Sequence, residues 1–111
     1  MNIEQLRDFS LSFDFCEEDC PFGPTVLVFK VGGKIFLLLP LDTEELQFNV
    51  KCDPENAILQ RQQYPNHILP GYHMNKKHWN TIVANGELSD TQLKQFISDS
   101  YLLVKPKRMI K

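Results

Sequence analysis

No stretch of this 111-residue chain holds the roughly 20 consecutive apolar residues that a membrane-spanning helix requires, so a membrane is not an expected partner. Its beginning, Met-Asn-Ile-Glu-Gln, lacks the basic and apolar regions of a signal peptide, and a cytoplasmic location is expected from that. Cysteine is scarce and odd in number, with Cys16, Cys20 and Cys52 alone, which argues against a disulfide framework and for reduced, metal-free thiols. Glycine is also sparse. The pair Gly32-Gly33 separates two apolar runs rather than a strand from a helix, which excludes a phosphate loop or dinucleotide fingerprint there. Neither a G-x-S-x-G elbow nor an S-x-x-K motif is present, and no internal repeat or low-complexity segment interrupts the chain. Strong charge of one sign is missing too: the formal net charge is -2, so the composition does not describe a broadly cationic nucleic-acid binder.

What is present is enough apolar content, 42%, for one hydrophobic core and therefore one domain. The charges are unevenly placed along the chain. Up to Asn56 there are four basic side chains against eleven acidic ones, and beyond it eight against three. Such polarity points to a single-sign surface patch if folding keeps the halves apart.

The local patterns can be read in order. Asn2 with Gln5 forms a capping box, and Ile3, Leu6 and Phe9 repeat at helical spacing to about Leu11. Asp14 to Pro24 gathers acids, two cysteines, Gly and Pro, and reads as an acidic loop. Thr25 to Pro40 reads as a hairpin about Gly32-Gly33. A two-residue turn there sets Val31 opposite Lys34, Phe29 opposite Phe36 and Leu27 opposite Leu38, with Val28 and Leu37, and Val26 and Leu39, pointing the other way. Both faces of the hairpin are then apolar, and the second needs a cover. Leu46, Phe48 and Val50 alternate with polar residues as a third strand. Asp53 and Pro54 open a helix to about Gln63. A short edge strand interrupted by Pro70 and Gly71, a strand from Lys77 to Ala84, and a helix capped by Ser89 and Gln92 complete the chain. That last helix carries an apolar stripe of Leu93, Phe96, Ile97, Tyr101 and Val104, and a basic tail from Lys105 to Lys111 follows it. The expected fold is α+β, a two-layer structure with an antiparallel five-stranded sheet, helices mainly on one face, and the order α-β-β-β-α-β-β-α.

The densest chemistry lies between Pro70 and Ile82. Lys51, Tyr72, His73, Lys76, Lys77, His78 and Trp79 interleave cations with aromatic rings, a pattern suited to phosphate contacts and base stacking. The rival reading is structural: Trp79 fills core, the lysines solvate a turn and Tyr72 lies over the sheet edge. Cys16 and Cys20 have a spacing seen in some zinc sites, but His67, His73 and His78 do not form the tight second pair a structural site needs. Glu17, Glu18 and Asp19 disfavour the thiolate that a catalytic cysteine requires. No catalytic set, cofactor or metal is therefore expected.

At these residues the chain resembles the MmcQ/YjbR family of small, mostly bacterial proteins. The likeness rests on Pro21-Phe22-Gly23, Gly33-Lys34-Ile35-Phe36, Lys51-Cys52-Asp53-Pro54-Glu55, Pro70-Gly71-Tyr72-His73, Asn75-Lys76-Lys77-His78-Trp79-Asn80-Thr81, and Ser100-Tyr101 with Leu103-Val104. The resemblance implies an α-β(3)-α-β(2)-α fold like that of secretion-chaperone-like and CyaY-like domains, and a DNA-binding label that comes from fold analogy. It brings no catalytic residues. The acidic, two-cysteine segment Phe15 to Cys20 departs from the family pattern. The leading expectation is a non-enzymatic module that binds nucleic acid. The alternative is a protein-interaction or chaperone-like domain, homodimeric through its apolar sheet face. Clustering of Lys51, Lys76, Lys77 and Lys94 on one surface favours the first, and an exposed patch at Val26, Val28 and Leu37 favours the second.

Overall fold

The computed structural model describes residues 1–71 and 74–107. Its elements are α1 (Ile3–Leu11), β1 (Glu17–Asp19), β2 (Val26–Val31), β3 (Lys34–Pro40), β4 (Gln47–Lys51), α2 (Pro54–Gln63), β5 (Ile68–Pro70), β6 (Trp79–Val83) and α3 (Asp90–Val104). All strand pairings are antiparallel, and the sheet order is β1-β2-β3-β4-β6-β5. The architecture is α+β with an open antiparallel sheet. Among the described residues there are six strands rather than five, and the order becomes α-β-β-β-β-α-β-β-α.

The additional strand is β1, inside the segment expected to be an acidic loop. Its residues carry no apolar alternation, and neighbours hold it in place. Glu18 faces the helical layer, where Arg7 Nε donates to it at 2.8 Å and Arg7 Nη2 at 2.5 Å, and Asp19 on the opposite face pairs with Lys30 at 3.3 Å. Phe15, with φ of 59°, turns the chain into this strand.

Helix boundaries follow the capping residues. The Asn2 side chain accepts from the Gln5 amide at 2.8 Å while Gln5 accepts from the Asn2 amide at 3.0 Å, and Ser89 with Gln92 repeats the arrangement on α3. Asp53 accepts from the Asn56 amide, and Pro54 occupies the first turn of α2, where its missing N–H costs nothing.

The hairpin turn forms as read, with Gly32 and Gly33 at φ of 60° and 78°. Its register does not. Val31 faces Lys34 and Lys30 faces Ile35, but a β-bulge then sets Phe29 opposite Leu37, Val28 opposite Leu38 and Leu27 opposite Leu39. Phe36 is the extra residue. A bulge inserts one residue into one strand, so Phe36 and Leu37 both point at the helices and every later β3 residue changes face. Burying a second large side chain there is worth about 1.5–3 kcal/mol, more than the ladder bond it disrupts. The carbonyl released at Phe36 is not left orphaned: Ser100 Oγ, fully buried on α3, donates to it at 2.5 Å and accepts from the Lys51 amide at 2.9 Å.

All three helices cover one sheet face. The core there joins Phe29, Val31, Phe36, Leu37, Phe48 and Ile82 of the sheet to Leu6 of α1 and Leu93, Ile97, Tyr101 and Val104 of α3. Phe13 stacks on Tyr101 at 4.5 Å and meets Phe36 edge-on, and the Tyr101 hydroxyl donates to the Asp14 carbonyl at 2.7 Å, tying the loop after α1 to the last helix. α2 lies over β5 and β6, where buried Asn80 donates to the Ala57 carbonyl and to Gln60. Among the described residues the other sheet face carries no helix.

Candidate functional site

Alternation along the strands decides what the helix-free face presents. It receives Val26, Val28 and Lys30 from β2, Ile35, Leu38 and Pro40 from β3, Asn49 and Lys51 from β4, and Trp79 and Thr81 from β6. Leu37, expected on this face, points into the helical layer because of the bulge, and Val28 is fully buried. The patch is therefore not the expected Val26, Val28 and Leu37. It is a groove of about 330 Å³ lined by Val26, Ile35, Leu38 and Pro40, with Phe22 and Met74 contributed by the flanking loops and Asn49 as the polar residue in its lining. Phe22 is 64% exposed, a large apolar ring left in solvent at the groove's rim. The Thr81 hydroxyl donates to Asn49 Oδ1 at 2.5 Å, which pairs that side-chain oxygen within the face.

The sequence-selected residues lie at one end of this face. Lys51 and Trp79 are register partners, so they stand side by side where β4 ends and β6 begins. Trp79 is only 9% exposed and offers no open ring for a base; it lies outside the helix-side core. Gly71 donates its amide to the Trp79 carbonyl at 3.0 Å, and a Cβ at position 71 would meet Trp79 Cβ at 3.0 Å, so any side chain there would press on Trp79. Lys76 and Lys77 are exposed on the β5–β6 connection and His78 is half-buried. Asn75 organises that turn: its side chain accepts from the Lys77 amide and its carbonyl from the His78 and Trp79 amides. Arg61 of α2 reaches the Lys76 carbonyl at 3.4 Å. Tyr72 and His73 fall outside the described residues. Lys94 does not join the group: it starts α3 on the helical layer, 5.4 Å over the Phe9 ring.

The topology sorts the charges into two poles along the strand direction. The β2–β3 turn, the β4–α2 junction, the β5–β6 connection and the end of α3 meet at one end, carrying Lys34, Lys51, Lys76, Lys77, Lys105 and Lys107. The β3–β4 loop and the β6–α3 loop meet at the other, carrying Asp42, Glu44, Glu45 and Glu87. The acids at the first end are Glu17 of β1, which stands opposite Lys30, Asp53 at the cap of α2, and Glu55 and Asp99 on the helices.

Two of the three cysteines, Cys16 and Cys52, are partly buried, and Cys20 is exposed. Cys16 is half-buried, and burial, seconded by Glu18 and Glu17, pushes its thiol up to about 11. The acids are thus the smaller cause and desolvation the larger. The Cys52 thiol donates to Gln60 Oε1 at 3.7 Å beside a shallow cleft between α2 and α3, and burial, then Asp53 and Asp99, raise its pKa. Among the described residues no three His, Cys, Asp or Glu side chains come together as a metal-ligand set, and no helix is long and apolar enough to cross a membrane.

This architecture has known counterparts. The YjbR family model matches residues 11–103. The uncharacterised protein YbdF of Escherichia coli O157:H7 is 44% identical over 105 residues, covering 91% of this chain and 82% of that protein. The crystal structure of Deinococcus radiodurans protein DR2400 superposes with a TM-score of 0.90 at 35% identity, covering 99% of this chain and 83% of that one. A Pseudomonas syringae protein, 27% identical, superposes at 0.77 over 95% of this chain and 100% of its own.

Proposed function

The chain belongs to the YjbR family, and on that premise we propose that it is a non-enzymatic binding module whose helix-free sheet face takes an apolar segment of a protein. The observation that carries this reading is the groove at Val26, Ile35, Leu38 and Pro40 with exposed Phe22 at its rim. Apolar surface of this kind, gathered in one concavity and bordered by charge, is what protein contacts use, whereas scattered exposed leucines need no explanation. Selection of binders from a random peptide library against the folded protein tests it. Enriched peptides rich in aromatic and aliphatic residues should bind in calorimetry and lose binding to Leu38→Glu, whose charge lands in the groove wall. A library from which nothing enriches over a Leu38→Glu counter-selection overturns the reading.

Nucleic acid is the second reading, supported by the convergence of Lys51, Lys76 and Lys77 at one end of the sheet. It ranks behind because its stacking half lacks an accessible ring at Trp79. Mobility-shift and salt titrations decide it. With roughly three phosphates neutralised, log K should fall with log salt at a slope of about minus 3, and Lys76→Glu with Lys77→Glu should flatten that slope. Absence of binding at about 50 mM salt, where the electrostatic attraction is strong, would end it.

A further inference from the structure

We infer that the partner seated on the helix-free face is a second copy of this chain, stacked face to face with its strands running antiparallel to the first. The inference rests on the groove reading above and adds to it the arrangement of charge. An apolar groove alone does not choose its occupant. Here the groove runs between two poles of opposite sign, lysines at 51, 76 and 77 on one side and acids at 42, 44, 45 and 87 on the other.

A two-fold dimer presents the same patch from both subunits, so each residue meets the partner patch with the sense of direction set by the axis. If the axis runs along the strands, basic pole faces basic pole and acidic faces acidic, and like charges across an interface are strongly unfavourable. If it lies in the interface perpendicular to the strands, each basic pole covers an acidic one while the two grooves meet at the centre. The second arrangement is self-complementary in both apolarity and charge. Phe22, in the loop before β2, offers a partner a largely exposed apolar ring at the groove's rim. Neither sheet edge offers a competing route to pairing: β1 is three acidic residues, and β5 is three residues ending in Pro70, which has no amide to donate.

Sedimentation velocity and light scattering on the intact protein test this with two charge-reversed variants. One carries Asp42→Lys, Glu44→Lys and Glu45→Lys, so both of its poles are basic; the other carries Lys51→Glu, Lys76→Glu and Lys77→Glu, so both are acidic. Wild type should dimerise with a dissociation constant that rises as salt screens the poles. Each variant alone should dimerise at least about tenfold more weakly, and an equimolar mixture should recover a one-to-one heterodimer within about threefold of wild type, since unlike poles again face each other. Recovery on mixing also proves that both variants fold. Wild type that stays monomeric overturns the inference, and the groove reading then stands or falls separately on the selected peptides. A dimer that forms equally well in each variant alone overturns the antiparallel stacking. A dimer indifferent to Leu38→Glu places the interface elsewhere and overturns the inference, while peptide binding lost in that same variant would keep the groove as a site for another protein.

Discussion

Ser100→Ala removes one oxygen and should cost the fold more than any other loss of a hydroxyl in the chain. The Ser100 hydroxyl serves two backbone groups at once, donating to the Phe36 carbonyl at 2.5 Å and accepting from the Lys51 amide at 2.9 Å. With alanine there, the carbonyl is buried and unpaired, worth about 2 kcal/mol, and the less deeply placed amide adds about 1 kcal/mol. The total, about 3 kcal/mol, is a large share of the roughly 5–15 kcal/mol that holds a domain together. In urea, with a slope of about 1.5 kcal/mol per molar for a chain of this size, the unfolding midpoint should fall by about 2 M. The matched control is Ser89→Ala, which deletes the same atom from an exposed helix cap and should cost about 1 kcal/mol. Hydrogen exchange adds a site-specific readout, because the Lys51 amide should lose protection in Ser100→Ala and keep it in Ser89→Ala. Equal midpoints for the two variants would refute the view that α3 completes the bonding of the β3 bulge.

Gly33→Val should destabilise by about 1–3 kcal/mol, since a β-branched residue is strained at a φ of 78°, and Gly32→Val should cost at least as much. A Cβ at position 32 would also fall 2.5 Å from Pro106 Cγ, and unchanged denaturation midpoints for both would contradict the turn assignment. Alkylation of Cys16 by iodoacetamide, followed by mass spectrometry, should keep accelerating with pH up to about 11, where its buried thiol ionises; a plateau below pH 9.5 would contradict that placement. Glu18, held by its hydrogen bonds to Arg7, titrates below the ordinary glutamate range. Its pairing therefore stabilises the fold above the unfolded glutamate pKa and the gain fades as pH falls through the depressed folded one. Glu18→Gln should remove that acid-side dependence, by less than about 1 kcal/mol for so accessible a pair, and a variant whose pH–stability curve runs parallel to wild type below pH 5 would contradict it.

The helices and the hairpin turn are legible in the sequence because their determinants are local. Asn2 with Gln5, Asp53-Pro54, Ser89 with Gln92, and Gly32-Gly33 each act within a few residues, and the structure places each as read. β1 is not legible, because what holds Glu17 to Asp19 in a strand is Arg7 and Lys30, eleven residues away on either side. Nor is the bulge: the two-residue turn correctly pairs Val31 with Lys34, and the slip follows only from burying Phe36 against Phe13 and Tyr101. One displaced residue then moves Leu37 off the open face and leaves Leu38 on it. The groove draws on positions from Phe22 to Met74 that no short motif joins, whereas the lysine cluster was visible because Lys76 to Trp79 are consecutive. The burial of Trp79 depends on Gly71 and on the end of β5, which composition does not encode.

The brief strand β1 has a bearing on how the chain could fail. Without it, β2 would be the sheet's border, and Val26-Leu27-Val28-Phe29-Lys30-Val31 is a run of high β-propensity with one charge, the kind of segment that recruits further chains into fibrils. Glu17, Glu18 and Asp19 act as a charged guard strip, paired to β2 through the backbone and braced at Glu18 by Arg7 and at Asp19 by Lys30. Protonation in acid loosens the strip and discharges it in the same step. The domain's colloidal stability is thereby tied to three side chains at its margin, so prolonged exposure to low pH should yield thioflavin-positive fibrils seeded from β2.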